Sequence, residues 1–69
     1  MKPRGKQLAF PKGSRVRLND DGMQQTHVLK NRSGVVTGYG HDGETIYVRW
    51  DDHRAPQPWF CAHLIPDPR

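Results

Sequence analysis

Basic side chains concentrate near the start of this chain. Residues 1–17 contain six lysines and arginines and no acidic residue, whereas the remaining residues contain five basic and seven acidic ones. Clustered positive charge on a nearly neutral body is typical of proteins that contact polyanions, and it is equally typical of a solvated tail. Residues on a strand alternate, so Val16 and Leu18 would face inward and their neighbours outward. We predict a nucleic-acid-binding stripe formed by Lys12, Arg15, Arg17 and Arg49.

Aromatic side chains offer a second kind of contact. Tyr47 and Trp59, if exposed, could stack on nucleic-acid bases. The same rings could instead line a groove that binds a peptide, or they could fill the core of a small domain. The sequence therefore leaves two partners open, a nucleic acid and a protein. The rings in question are Tyr39, Tyr47, Trp50, Trp59 and Phe60.

Metal and catalytic sites are not predicted. Cys61 and His63, with His53 nearby, offer thiolate and imidazole, but one cysteine and this spacing match no structural zinc pattern. His63 is interpreted instead as a residue that caps a short turn or contacts a backbone carbonyl. The sequence contains no nucleophile–base pair, no paired carboxylates in a supporting context and no phosphate-binding glycine motif. We expect no catalytic residue and no cofactor.

Strands must position these side chains, and the clearest candidates flank Asp42-Gly43, a dipeptide typical of two-residue hairpin turns. A turn centred there produces one largely apolar face, whose pairs would be Tyr39 with Ile46, Thr37 with Val48 and Val35 with Trp50. The opposite face would carry Val36 and Arg49, together with Gly38 and Tyr47. An aromatic ring opposite a glycine can cover the bare backbone, and we expect Tyr47 to cover Gly38.

The other predicted elements are short. Residues 14–18 alternate polar and apolar side chains and indicate a first strand. Residues 55–60 contain two prolines, which cannot donate to a sheet, and so predict a strand that lies at the sheet edge or is confined to its proline-free end. Residues 61–64 predict one turn of 3₁₀ helix, and Ile65 begins a final short strand. Residues 19–32 show no clean period and predict a long loop whose Val28 and Leu29 pack against the core, with a short helix as the alternative.

Length and composition limit the organisation to one small domain. The chain has 69 residues, one cysteine and a formal net charge of +4. A single cysteine excludes an intrachain disulfide and fits a reducing compartment. The sequence shows no membrane-spanning run and no secretory signal, so we expect a cytoplasmic protein that does not contact membranes. We predict a flexible basic arm over residues 1–11, a folded domain over 12–66 and a tail over 67–69.

Two segments carry a resemblance to a known group of folds. Lys12-Gly13-Ser14-Arg15-Val16-Arg17 with Ser33-Gly34-Val35-Val36-Thr37-Gly38 resembles the opening of KOW-type and related SH3-like domains. Val48-Arg49-Trp50-Asp51, Ala55-Pro56 and His63-Leu64-Ile65-Pro66 resemble parts of small uncharacterised phage and prophage proteins. The resemblance implies an all-β, five-stranded antiparallel SH3-like barrel with one 3₁₀ turn before the last strand. It also implies contact with nucleic acid or with proteins that handle it.

A weaker resemblance concerns an enzyme family with barrels of this size. The type II dihydrofolate reductases carry a Val-Gln-Ile-Tyr motif on the strand that lines their pore. This chain has Pro56-Gln57-Pro58-Trp59 at the comparable place, and only Gln57 matches. The sequence therefore favours a non-catalytic binding module for nucleic acid or a nucleic-acid-handling protein. The main alternative is a protein–protein adaptor or host-enzyme inhibitor, and a reductase is the minor one.

Overall fold

The structure is a computed structural model, and it describes residues 3–26 and 33–67. Five antiparallel strands form one sheet in the order β4-β3-β2-β1-β5. The strands are β1 Arg15–Leu18, β2 Ser33–Tyr39, β3 Thr45–Trp50, β4 Gln57–Phe60 and β5 Leu64–Pro66. A 3₁₀ helix at Cys61–His63 directly precedes β5. The predicted all-β class, the five antiparallel strands and the 3₁₀ turn before the last strand are confirmed.

The core lies on one side of this sheet. Ile46, Val48 and Trp50 alternate along β3 and are fully buried. Val16 and Leu18 of β1 are buried as well, and Arg15 and Arg17 between and before them are exposed, as the alternating pattern predicted. Trp59 packs edge-on against Trp50, with 5.9 Å between the ring centroids. The buried apolar residues that complete the core are Phe10, Val36, Tyr39, Cys61 and Leu64.

A β-bulge in β2 changes the predicted pairing of the central hairpin. Tyr39 pairs with Ile46 and Gly38 with Tyr47, as expected, but Val36 then pairs with Val48. Thr37 is the extra residue, so every β2 residue before it faces opposite to the prediction. The predicted pairs Thr37 with Val48 and Val35 with Trp50 are therefore wrong, and the buried valine is Val36 rather than Val35. The observed partners of the remaining β2 residues are Val35 with Arg49 and Gly34 with Trp50.

The hairpin turn is also longer than the two-residue turn expected. Gly40 N donates to Thr45 O at 2.9 Å, which leaves the four residues 41–44 as the connection. Asp42 folds this loop through its side chain, because its carboxylate accepts hydrogen bonds from the backbone N–H groups of Glu44 and Thr45. Gly43 has a φ of +78°, in the left-handed region. The dipeptide Asp42-Gly43 does form the turn, but as an Asx-type loop rather than a two-residue connection.

The approach to β1 is fixed by a β-turn and a second bulge. Ser14 N donates to Pro11 O at 3.0 Å and closes the turn. Gly13 occupies its third position with a φ of +84°, which a type II turn requires and other residues rarely adopt. Gly13 N donates to Val36 O, and Val36 N donates to Ser14 O, so two residues of this segment face one residue of β2. The turn therefore aligns β1 with β2 at the point where β2 itself is irregular.

The described residues of the predicted N-terminal arm lie against the sheet. Residues Gly5–Ala9 form a 3₁₀ helix, and the side chain of Gln7 is fully buried. Gln7 Nε2 donates to the carbonyl oxygens of Thr45 at 2.7 Å and Gly40 at 3.1 Å. Its Oε1 accepts from Arg4 N at 3.0 Å. The Gln7 amide thus attaches this segment to the base of the hairpin loop.

The segment predicted as a long loop begins with a short helix, α1 Asp20–Gln24. Asn19 caps it by accepting from Gly22 N at 2.8 Å, which is the usual role of asparagine before a first helical turn. Asn19 also ties the helix to the 3₁₀ turn, because its N–H donates to His63 O at 3.0 Å and its Nδ2 to Ala62 O at 2.6 Å. The predicted packing of Val28 and Leu29 lies outside the described residues.

In each outer strand of the sheet, the backbone nitrogen of a proline points toward the unpaired side of the strand. Cys61 N donates to Glu44 O and Asp67 N to Arg15 O, which fixes the direction of the neighbouring N–H groups. Directions alternate along a strand, so Pro58 in β4 and Pro66 in β5 point away from the sheet. The prediction that the proline-containing strand lies at an edge is confirmed. None of the helices in residues 3–26 and 33–67 is long and apolar enough to cross a membrane.

The bulge makes a prediction about two adjacent valines. Val36→Ala should lower the free energy of unfolding by about 1 to 3 kcal/mol, since it removes buried methyl groups and leaves a cavity. Val35→Ala, on the half-buried opposite face, should cost less than about 1 kcal/mol. Urea unfolding of the two variants measures the difference directly. A larger loss of unfolding free energy for Val35→Ala than for Val36→Ala would indicate the regular register and contradict the bulge.

The buried amide makes a second prediction. Gln7→Ala should destabilise the fold by about 2 to 4 kcal/mol, because it removes three hydrogen bonds and leaves the Gly40 carbonyl without its donor. Leu8→Ala is the matched control, since Leu8 is 64% exposed in the same 3₁₀ helix. That control should change the free energy by less than about 0.5 kcal/mol. Thermal unfolding of both variants is the measurement, and equal effects would show that Gln7 does not anchor the segment.

Candidate binding face

Strand pairing brings three of the predicted basic residues together. Arg15 pairs with Val35, which in turn pairs with Arg49. Directly paired residues point to the same side of a sheet, so both arginines lie on the face opposite the core, about 10 Å apart. Arg17 lies two residues along β1 from Arg15, about 7 Å away. We call this surface the outer face, and its central residues are Arg15, Arg17, Val35, Tyr47 and Arg49.

Tyr47 occupies the outer face two residues before Arg49 and is 39% exposed. Its paired neighbours are Gly38 on β2 and Pro58 on β4. A Cβ atom built on Gly38 would meet no heavy atom within 4 Å, so the Tyr47 ring does not cover this glycine as predicted. The exposure expected for Tyr47 is present. The space above Gly38 is open beside the ring.

Lys12 is exposed in the turn that precedes β1. Gly13, the next residue, donates its N–H to Val36 O, so the turn lies beside the bulged end of β2. That end also carries Gly38, the partner of Tyr47. The structure therefore places Lys12 near the Tyr47 end of the outer face and Arg17 at the other end.

Two acidic residues border the outer face, and sequence patterns did not reveal either. Asp51 accepts from Arg15 Nη1, with its Oδ2 at 3.2 Å, and the two side chains are 50% and 42% exposed. Asp67 lies at the β5 edge and accepts a short hydrogen bond from Ser33 Oγ. An exposed ion pair contributes at most about 1 kcal/mol, so a phosphate can replace Asp51 as the partner of Arg15. Asp51 reduces the positive charge of this face without removing it.

Trp59 does not lie on the outer face with Tyr47. It pairs with Ile46, so its ring turns toward the core and is half buried. Its remaining surface lines a shallow groove of about 330 Å³. His63 lies beside it, with ring centroids 6.3 Å apart, and the 53% exposed Phe60 borders the same groove. The other lining residues are Gln25, Thr45 and Pro58.

His63 and Cys61 have structural surroundings. His63 ends the 3₁₀ turn, and within residues 3–26 and 33–67 its ring makes no hydrogen bond to a backbone carbonyl. Its own carbonyl accepts from Asn19 N, and its ring packs edge-on against Trp59 and Phe60. Cys61 is buried, and burial raises the pKa of its thiol by disfavouring the thiolate. Within residues 3–26 and 33–67, no three His, Cys, Asp or Glu side chains lie close enough together to hold a metal ion.

The hairpin loop next to the outer face contains the other perturbed group. Hydrogen bonds, first from Thr45 Oγ1 and then from the backbone N–H groups of Glu44 and Thr45, lower the pKa of Asp42 from 3.8 to about 2. The shortest of these bonds joins Thr45 Oγ1 to Asp42 Oδ2 at 2.7 Å. All of them require the ionised carboxylate as acceptor. Asp42 therefore stabilises the loop that begins β3, the strand that carries Tyr47 and Arg49.

Comparison of the chain with known protein families, curated proteins and solved structures finds no match. The resemblance to KOW-type domains and to phage proteins stays a prediction. So do the closure of the sheet into an SH3-like barrel and the absence of catalytic activity. What the outer face and the groove bind is accordingly inferred from their chemistry alone.

The Asp42 loop predicts a defined response to acid. The folded-state pKa lies below the unfolded value, so the carboxylate contributes stability that is complete above about pH 4 and is lost as the pH falls through about 2. NMR titration of the Asp42 carboxyl should give a midpoint of about 2. Thr45→Val keeps the shape of residue 45 but removes the largest cause, and should raise that midpoint. A wild-type midpoint near 3.8 would show that these hydrogen bonds do not form.

Proposed function

We propose that this chain is a non-catalytic binding module whose outer face contacts the phosphate backbone of a nucleic acid. The observation that carries the proposal is the convergence of Arg15, Arg17 and Arg49 on one exposed face of β1 and β3, the two strands that flank β2. Arg49 is at least 32 positions away in sequence from the two arginines of β1, and only the pairing of the strands brings it close to them. Exposed Tyr47 lies among them, and Lys12 extends the positive charge at one end.

The chemistry of arginine on a strand suits phosphate. The guanidinium group presents a planar fork of donors that can bind two phosphate oxygens at once. A strand holds the base of each side chain at a fixed spacing, which lowers the ordering cost of binding. Four positive side chains, Lys12 and the three arginines, face two nearby carboxylates, Asp51 and Asp67. The balance remains positive and favours an anionic partner.

An SH3-like barrel belongs to the same proposal. The strand order supports it, and so does the link between the two edge strands: β4 and β5 are joined by only the three residues Cys61–His63. A flat sheet of five strands would separate its edges by about 19 Å, which is more than so short a turn comfortably spans. The sheet must therefore curl strongly toward its own opposite edge.

A protein partner is the second candidate, and the groove beside Trp59 favours it. Phe60 exposes more than half of its surface there, although large apolar side chains are usually covered. Aromatic grooves bind extended peptides through apolar contact, which depends weakly on salt. Phosphate binding instead weakens steeply as salt increases. Binding releases the counterions condensed on the nucleic acid, and this release is less favourable when the salt concentration is high. Salt dependence therefore separates the two functions.

The proposal predicts the strength of that salt dependence. With four phosphate contacts, log affinity for an oligonucleotide should fall with log salt at a slope of about −3 to −4. The Arg15→Ala, Arg17→Ala double variant should stay folded, since both side chains are exposed, and its slope should be flatter by about 1.5 to 2. Fluorescence anisotropy of a labelled oligonucleotide between 50 and 200 mM salt, roughly, measures both slopes.

A matched control removes equal charge elsewhere. Arg4→Ala, Lys6→Ala deletes two exposed positive charges of the N-terminal segment and should leave the slope almost unchanged. Deleting the segment itself is a poor control, since it would remove the buried Gln7. Equal flattening in both double variants would place the contact on the N-terminal segment. Absence of salt-dependent binding in the wild type would refute the nucleic-acid function and favour the peptide groove.

A further inference from the structure

We infer that the nucleic acid contacted by the outer face is single-stranded and stacks a base on the ring of Tyr47. The inference rests on the proposed function and specifies its ligand. A duplex keeps its bases stacked within the helix, so it offers a protein ring on the surface of a sheet little more than phosphates. A single strand exposes the π face of every base, and aromatic side chains bind such faces regardless of sequence. The choice between these ligands therefore depends on whether Tyr47 is available.

The surroundings of Tyr47 leave its ring available. On one side, Gly38 has no side chain, and the space where a Cβ would project is open. On the other side lies the exposed Pro58, which the strand register places opposite Tyr47. Within residues 3–26 and 33–67, the Tyr47 ring stacks on no other aromatic ring. The position directly above Gly38, beside the ring, is thus free of side-chain atoms within 4 Å, and a stacked base would begin there.

The cations lie where the backbone of a stacked nucleotide would need them. Arg49 follows Tyr47 by two residues on the same face, about 7 Å away. Arg15 lies two strands over from Arg49, about 10 Å across the sheet, and Lys12 lies toward the Gly38 end. Positive groups therefore occur on two sides of the ring. A strand of nucleic acid crossing β3 toward β1 would place a base on Tyr47 and successive phosphates near Arg49 and Arg15.

Tyr47 is the aromatic residue among the five central residues of the outer face, which limits how much stacking can contribute. Trp59 turns toward the core. Phe60 pairs with Thr45 and so lies on the same side of the sheet as Tyr47, but its ring packs edge-on against His63 at the groove. Stacking on one ring contributes about 5- to 100-fold in affinity, and the phosphate contacts contribute the rest. The inferred ligand is therefore a short single-stranded stretch, recognised by backbone charge and one unpaired base of any type. The phosphate contacts can be measured by the salt dependence of binding, and the stacking by the preference for a strand with bases over an abasic strand.

The test compares four probes by fluorescence anisotropy at low salt. They are a twelve-nucleotide oligo-dT, the matching oligo-rU, an abasic twelve-mer with the same phosphates, and the oligo-dT·oligo-dA duplex. Wild-type protein should bind oligo-dT or oligo-rU about 5- to 100-fold more tightly than the abasic strand. It should also bind at least one of these two more tightly than the duplex. The DNA and RNA probes together show which sugar the site accepts.

Variants of Tyr47 test the ring itself. Tyr47→Ala should remove the preference for oligo-dT or oligo-rU over the abasic strand and leave the salt slope unchanged, whereas Tyr47→Phe should keep both. Tyr47→Leu retains apolar bulk on the strand, so it separates loss of stacking from loss of folding and should behave like Tyr47→Ala. Phe60→Ala is the control for the exposed aromatic ring at the groove, and it should bind every probe as the wild type does.

The failures of the two proposals can be distinguished. If no probe binds with a salt-dependent affinity, the proposed function itself is refuted. If the abasic strand and both unpaired oligonucleotides bind alike, or if the duplex binds most tightly, the phosphate contact stands and the single-strand inference is overturned. Loss of the base preference in Phe60→Ala rather than in Tyr47→Ala would also overturn it, because the stacking would then occur at the groove.

Discussion

The extra residue in β2 is the constraint on which the rest of the structure depends. Val36 and Tyr39 are both buried, yet they lie three positions apart and would face opposite sides of a regular strand. The bulge at Thr37 resolves this conflict by rotating one part of the strand relative to the other. It allows Tyr39 to reach the carbonyl of Phe10 at 2.7 Å while Val36 fills the core above Val48. It also turns Val35 outward, between Arg15 and Arg49, and so completes the row of the outer face.

Sequence patterns predicted the elements that depend on local alternation. The inward positions of Ile46, Val48 and Trp50 follow from period two along β3, and the same holds for Val16 and Leu18 in β1. The bulge could not be found this way, because two adjacent valines satisfy either register equally well. A glutamine among charged residues likewise reads as solvent-exposed, and only the carbonyls of a distant hairpin loop make burial of Gln7 favourable. Local patterns carry no information about such remote partners.

In the candidate site, too, the features that depend on local alternation were predicted and those that depend on remote partners were not. Exposure of Arg15, Arg17 and Tyr47 followed from strand alternation, whereas the direction of Trp59 depended on how β4 pairs with β3. The acidic neighbours of the outer face were hidden for a different reason. Asp51 lies at the end of β3 and meets Arg15 only because β1 and β3 flank the same strand. Charge counted along the sequence therefore overstated the positive potential of this surface.

The prolines at the two free strands determine how this molecule can meet others. An extended chain can add to the edge of a sheet by pairing with its unpaired N–H groups. Pro58 and Pro66 each lack the backbone N–H that β4 and β5 would otherwise offer at those positions. Neither edge strand, β4 or β5, can therefore pair regularly with a sixth strand. Copies of the chain are thereby discouraged from growing into continuous fibrils, and partners are denied recognition through main-chain pairing. Selectivity in this molecule must be expressed through side chains projecting from its surfaces.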